Sequence, residues 1–201
     1  LCELSRNQGV SVLPCAKSEL DAMVIGRHQG VVAVLDPAVV AEAGSMMSEA
    51  DLTEHLSQVT LPLILILDGV TDPHNLGACL RSADAAGAHA VVLPKAKSAD
   101  VNHVARKVAS GAAETVPWVR VTNLARTIES LKQVGVWVIG TDGDAERTLY
   151  EQDLSGPCAL VLGSEGAGMR RLTRDLCDFV VKLPMAGSVS SLNVSVAAGV
   201  C

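Results

Sequence analysis

Aromatic side chains are nearly missing from this chain: its 201 residues hold two Trp, one Tyr and one Phe. Modules that read single-stranded RNA by stacking bases on aromatic platforms need several such rings, which argues against that mode of recognition. The core must be built from Val, Leu, Ile and Ala instead. Clustered cysteines are absent too. Cys2, Cys15, Cys79, Cys158, Cys177 and Cys201 lie far apart, with no CxxC pair and no His at ligand spacing. No metal site is expected, and the six read as small buried hydrophobes in a reducing cytosol. No segment shows the charged start, apolar run and cleavage site of a signal peptide, so a cytoplasmic location is expected. The chain starts on Leu1 rather than Met and stops inside an apolar pattern, which reads as part of a longer protein.

Charge is missing altogether from the closing stretch "LPMAGSVSSLNVSVAAGVC", Leu183 to Cys201. A membrane span needs roughly 17–25 mainly apolar residues. Five residues here are Ser or Asn, and Pro184 and Gly187 interrupt the first half, so no membrane partner is expected. The better expectation is a strand end, a turn at Pro184 to Gly187, a polar cap at Ser188 to Ser191 and a buried helix from Leu192, with Asn193 in its first turn.

The net charge of −6 argues against indiscriminate nucleic-acid binding, but it is unevenly spread. Residues 1–60 carry three Lys/Arg against eight Asp/Glu, and residues 61–201 carry thirteen against fourteen. The second part can therefore hold local basic patches, with Arg81, Lys95, Lys97, Arg106, Lys107, Arg120, Arg126, Arg170, Arg171 and Arg174 as candidates.

Texture divides the chain into residues 1–35, part of a small domain with a helix at 17–25 and a strand at 30–36, then a linker at 36–60 with a helix at 48–57. From 61 to 201, apolar runs at 61–68, 88–94, 116–121, 136–141, 158–163 and 179–184 alternate with helical patterns. The helices are expected at 75–86, 99–109, 123–133, 146–152, 168–177 and 191–200. Short β-branched runs separated by amphipathic helices predict an α/β fold, a mostly parallel sheet with helices on both faces. Ligands then sit at the carboxyl ends of the strands.

Three loops at such ends draw attention. In "LDGVTDPHNLGACLRSADAAG", Asp72 is a credible N-cap with Pro73 at the first helical position, and Gly87 suits a left-handed stop. Gly77 and Ala78 allow a close approach to another backbone or to a ligand. Asn75 and Arg81 project about 120° apart on a helix. Arg81 reads either as a surface residue paired with Asp84 or as a ligand contact, and His74 as a loop histidine. In "LVLGSEGAGM", Gly163, Gly166 and Gly168 follow a strand and precede a helix. Their spacing is neither GxGxxG nor GxxxxGK[ST], which disfavours a phosphate cradle and a dinucleotide-dependent enzyme. The third loop is the uncharged closing stretch.

Together the segments "Asn75-x-Gly77-x-x-x-Arg81-x-Ala83", "LVLGSEGAGM" and "LPMAGSVSSLNVSVA" resemble the three motifs of the SpoU/TrmH branch of the SPOUT methyltransferases, in order between Asn75 and Ala197. The resemblance implies methyl transfer from S-adenosylmethionine to a ribose 2′-hydroxyl of RNA. The fuller wording of the motifs, with "RHQGVVA" upstream, implies a guanosine of 23S ribosomal RNA. It further implies a C-terminal deep trefoil knot, a homodimer, and an N-terminal RNA-binding domain like ribosomal protein L30, of which residues 1–35 would be the later part. Carried over residue by residue, Arg81, Asn75, Glu165 and Asn193 match the catalytic positions. Gly163, Leu183, Leu192, Leu162, Gly168, Met185 and Ser191 match the cofactor-binding ones. The alternatives are a non-catalytic RNA-binding assembly factor on the same fold, or tRNA as substrate.

Overall fold

A computed structural model describes residues 2–24, 28–34 and 45–201. The chain divides into two compact units, Leu1–Glu42 and Ala43–Cys201. In the first, α1 (Cys2–Asn7) and α2 (Lys17–Met23) bury none of their residues. The helix expected at 17–25 is therefore present. Of the strand expected at 30–36, residues 30–34 form a turn and irregular chain, and the rest lies outside the described residues.

The second unit is an eight-stranded sheet in the order β1-β4-β3-β2-β7-β5-β8-β6. Its strands are β1 (Met46–Met47), β2 (Leu63–Asp68), β3 (Ala90–Pro94), β4 (Trp118–Val121), β5 (Trp137–Thr141), β6 (Arg147–Thr148), β7 (Cys158–Gly163) and β8 (Phe179–Lys182). Every pairing is parallel. Its helices are α3 (Asp51–Ser57), α4 (Pro73–Ala85), α5 (His103–Ala109), α6 (Ala112–Thr115), α7 (Leu124–Gln133), α8 (Arg171–Leu176) and α9 (Val194–Val200).

Side-chain alternation along the strands explains why helices cover both faces. Leu65 and Leu67 of β2 join one buried cluster with Leu76 and Leu80 of α4, Ala105 of α5 and Val194 of α9. Ile64 and Ile66, one step out of phase, join the other with Leu52 of α3 and Ile128 of α7. A strand buried on both faces must be apolar throughout, and "LILIL" meets that demand. Each such side chain contributes about 1.5–3 kcal/mol by leaving water, so the apolar runs commit the centre of the sheet.

The helix expected at 48–57 is present as α3, with Leu52 and Leu56 buried. The expected linker at 36–60 is corrected at Met46 and Met47, which pair with Trp118 and Val119 as an edge strand. The helix expected at 146–152 shrinks to strand β6 and one 3-10 turn, Leu149–Glu151. Cys79 and Cys158 are buried as expected, but Cys2 and Cys15 are exposed, which corrects the reading of all six as buried.

Capping follows the sequence closely at α4. The Asp72 carboxylate accepts from the His74 amide at 2.9 Å, Pro73 opens the helix, and Gly87 follows with φ +69°. The close approach expected at Gly77 is to backbone: a Cβ there would lie 2.8 Å from Val108 Cβ and against the Ala105 carbonyl. Gly77 thus seats α4 on α5.

Candidate active site

Strands β2, β7 and β5 are neighbours, and β2 ends in register with β7, Asp68 opposite Gly163. The loops leaving their carboxyl ends converge with the chain that leaves β8. Here the strand order reverses around β2, the position where open parallel sheets leave a crevice.

The loop after β7 folds back on itself. Ser164 and Gly168 exchange both backbone hydrogen bonds at 2.9 Å, with Gly166 at φ +80° and Gly168 at φ +67°. Left-handed backbone at both positions costs a side-chain-bearing residue about 1–2 kcal/mol, which accounts for the glycines. Gly163 is there for space: a Cβ would run into Gly168 and the Met169 nitrogen. The turn presents Glu165 at its tip.

Two asparagines meet that carboxylate. Asn75, in the first turn of α4, donates to Glu165 Oε1 at 3.1 Å. Asn193 donates to the same oxygen at 2.6 Å and to Asn75 Oδ1 at 3.0 Å. Asn193 also caps α9, since its Oδ1 accepts from the Ser195 amide at 2.9 Å and the Ser195 hydroxyl at 2.6 Å. The cap therefore lies at Asn193, not at Ser188 to Ser191, and α9 starts one residue later. Three loops far apart in sequence are joined in one hydrogen-bonded triangle.

Beside the triangle lies a cavity of about 650 Å³. Leu162, Gly163, Gly168, Leu183, Met185, Ser191 and Leu192 all line it, as do Glu165 and Asn193. Asn75 and Arg81 do not. Arg81 is exposed and donates to Ser110 Oγ at 3.5 Å; Asp84, its expected partner, accepts from the Thr115 hydroxyl at 2.6 Å instead. Among the described residues no hydrogen bond joins Arg81 to the triangle.

Two features escape sequence reading. Thr141, Asp142, Gly143 and Asp144 also line the cavity. Asp142 Oδ1 accepts from the Asp144 amide at 2.9 Å and Oδ2 from Arg174 Nε at 2.8 Å. The amide and then the guanidinium hold its carboxyl below the usual range. Its place directly after a strand is the one signal the sequence holds for it, and a common one. The second is Asp68, buried with 1% exposure. It accepts from the Arg170 amide at 2.9 Å and from Arg170 Nε at 2.6 Å, with Nη2 closing the pair. This clamp fastens the far end of the glycine loop to β2. Next to the site, burial and then the Glu165 charge push the Cys79 thiol up to about 12, so it stays protonated and inert.

Among the described residues no group of three or more His, Cys, Asp or Glu is placed to hold a metal ion, and no helix is long and apolar enough to cross a membrane. Known proteins resemble this chain closely. The model of the SpoU rRNA Methylase family matches residues 62–201. The 23S rRNA (guanosine-2'-O-)-methyltransferase RlmB of Pseudomonas putida is 61% identical over 201 residues, 100% of this chain and 79% of that protein. The RlmB of Escherichia coli K12 is 54% identical over 97% of this chain and 78% of its own length. Among solved structures, the SpoU methyltransferase AviRb from Streptomyces viridochromogenes in complex with AdoMet superposes with a TM-score of 0.64 at 34% identity. That match covers 69% of this chain and 54% of the AviRb chain.

Proposed function

Because the chain belongs to the SpoU rRNA Methylase family, we propose that it transfers a methyl group from S-adenosylmethionine to the ribose 2′-hydroxyl of a guanosine in 23S ribosomal RNA. One observation carries this reading: the cavity at the carboxyl ends of β7 and β5 is bordered by the triangle of Asn75, Glu165 and Asn193. The relatives' names supply the base and the RNA.

The cavity fits the cofactor chemically. Its volume lies in the range of small-molecule sites, roughly 300–1,000 Å³, and its wall mixes Leu162, Leu183, Leu192 and Met185 with the ionised Asp142. Apolar side chains suit an adenine ring, and a carboxylate suits a cationic ligand. S-adenosylmethionine, when bound, supplies a methyl group on a positively charged sulfur. Gly163, Leu183 and Leu192 would hold it through backbone groups, flanked by Leu162, Gly168, Met185 and Ser191.

What remains for the protein is alignment and handling of one proton. Fixing reacting atoms in line contributes roughly 7–11 kcal/mol to lowering a barrier. Glu165 and Asn193 brace the loops, and Asn75 ties that brace to α4. Arg81 lies off the cavity and is solvent-facing, which suits contact with RNA: it binds the phosphate beside the target ribose and polarises the hydroxyl. A guanidinium is a poor proton acceptor, so Arg81 acts by polarising the hydroxyl; as the oxygen takes the methyl and the carbon–sulfur bond breaks, the hydroxyl proton passes to the adjacent phosphate or to Arg81.

The same reading includes a deep trefoil knot formed by the chain after β8, a homodimer through the second unit, a cytoplasmic location and an RNA-binding role for residues 1–35. Val196 and Val200, half exposed on α9, support an interface there. The test is radiolabelled methyl transfer to unmodified 23S RNA, with calorimetry of S-adenosylmethionine. One labelled ribose is expected; cofactor binding without transfer supports an assembly factor, and labelling of tRNA alone moves the substrate. Arg81→Ala should abolish transfer while cofactor affinity stays within a few-fold. A large loss of cofactor binding would overturn its assignment to the RNA side.

A further inference from the structure

The loop after β3, residues 95–100, faces the same edge of the sheet as the cofactor loops and is stitched to them. The Ala99 amide donates to the Val70 carbonyl at 2.8 Å, and the Ser98 hydroxyl donates to the same oxygen at 3.3 Å. Val70 belongs to the segment that leads from β2 to Asn75. At its neighbour Gly69, a Cβ would stand 3.5 Å from Ser164 Cβ and 3.8 Å from the Lys97 carbonyl. One glycine thus separates the Lys97 backbone from the loop that carries Glu165.

The loop is held from below by Arg120 of β4, whose Nη2 donates to the Lys95 carbonyl at 3.1 Å while Nη1 pairs with Asp100. Both ends of the loop are gripped by one guanidinium. At its tip Lys97 adopts φ +55°, an uncommon conformation for a side-chain-bearing residue. Lys95 and Lys97 are both exposed. Lys95 Nζ donates to the Thr122 hydroxyl at 3.2 Å, and among the described residues neither lysine has a carboxylate partner. The neighbouring acids are already engaged: Asp100 by Arg120, Glu49 by the Thr122 amide at 3.1 Å, Asp72 by the His74 amide and Glu165 by the two asparagines. In a chain of net charge −6, this hydrogen-bonded loop beside the site carries two exposed ammonium groups that no carboxylate neutralises among the described residues.

We infer that Lys95 and Lys97 form a docking surface for the sugar–phosphate backbone of the RNA strand that runs past the target nucleotide. The inference rests on the methyltransferase reading above and adds where the substrate lies. Ammonium groups act on phosphates as point charges and carry no sequence information. The surface therefore sets affinity and register, leaving base choice to other contacts.

The experiment measures binding and methylation of unmodified 23S RNA across a salt series for the wild type, Lys95→Gln, Lys97→Asn and the double variant. Asn tolerates the left-handed backbone. Each lost phosphate contact removes about 0.7–0.9 from the slope of log affinity against log salt. The single variants should raise the RNA KM about 3–10-fold at low salt, with the double variant larger, kcat little changed and S-adenosylmethionine affinity unchanged. Lys97→Arg, which keeps the charge, should restore the salt slope. Unaltered slope and KM in the double variant overturn the docking surface, as does equal loss in Lys97→Arg. If the wild type itself fails to methylate, the functional reading falls instead.

Discussion

Removing either partner of the Asp68–Arg170 clamp should destabilise the protein by unequal amounts, and the inequality follows from burial. The Asp68 side chain has no exposure, whereas that of Arg170 is 44% exposed. In Asp68→Ala the guanidinium turns to water, and the loss is that of hydrogen bonds to a charged group, about 1.5–3 kcal/mol. In Arg170→Ala the carboxylate stays buried with only the residue 170 amide as donor. An uncompensated buried charge costs about 3–5 kcal/mol. The difference of roughly 1–2 kcal/mol corresponds to a Tm lower by about 2–8 °C in Arg170→Ala than in Asp68→Ala, at about 2–4 °C per kcal/mol for a chain of this size. Calorimetric melting of the two variants beside the wild type measures it. A greater loss in Asp68→Ala, or no loss in either, would refute the claim that burial of the carboxylate governs the clamp.

Three further outcomes are expected. Gly163→Ala drives a methyl into the Gly168 and Met169 backbone, and overpacking of this kind costs about 1–3 kcal/mol. Its S-adenosylmethionine affinity should fall at least 10-fold by calorimetry, and unchanged affinity would mean that the loop yields freely. Asp142 has its carboxyl held below its ordinary 3.8, by the Asp144 amide and then Arg174. The stability it contributes is fully present above pH 4 and lost as pH falls through the lowered value, so Asp142→Asn should flatten the acid limb of the stability profile below about pH 4. An identical acid limb would contradict this. Iodoacetamide at pH 8 should label exposed Cys2 and Cys15 and spare Cys79, whose thiol is pushed up to about 12; mass spectrometry of tryptic peptides reads this out, and labelling of native Cys79 would show that its burial is transient.

The strands and most helices of the second unit were legible because periodicity and caps are local properties. The apolar alternation of "LILIL" and the Asp72-Pro73 start need only near neighbours in sequence. The three loops were legible through their resemblance to a family. The strand Met46–Met47 was not: these two residues pair only because β4 offers them an edge. Asp142 and Asp68 do not stand out in the sequence because a carboxylate at the end of a strand is common, and only the partners, Arg174 and Arg170, reveal its use.

By itself, then, the sequence determined a parallel sheet covered on both faces, glycines where backbone must turn left-handed, and an uncharged closing segment compatible with a protein wall. It determined these because they depend on side-chain chemistry repeating over a few residues. The tertiary structure alone decided that Asn193 caps α9 while reaching Glu165 and Asn75, that Gly77 serves helix packing, and that Arg81 lies outside both the triangle and the cavity. Those outcomes depend on distances between segments up to 118 residues apart, and no local pattern encodes such a distance.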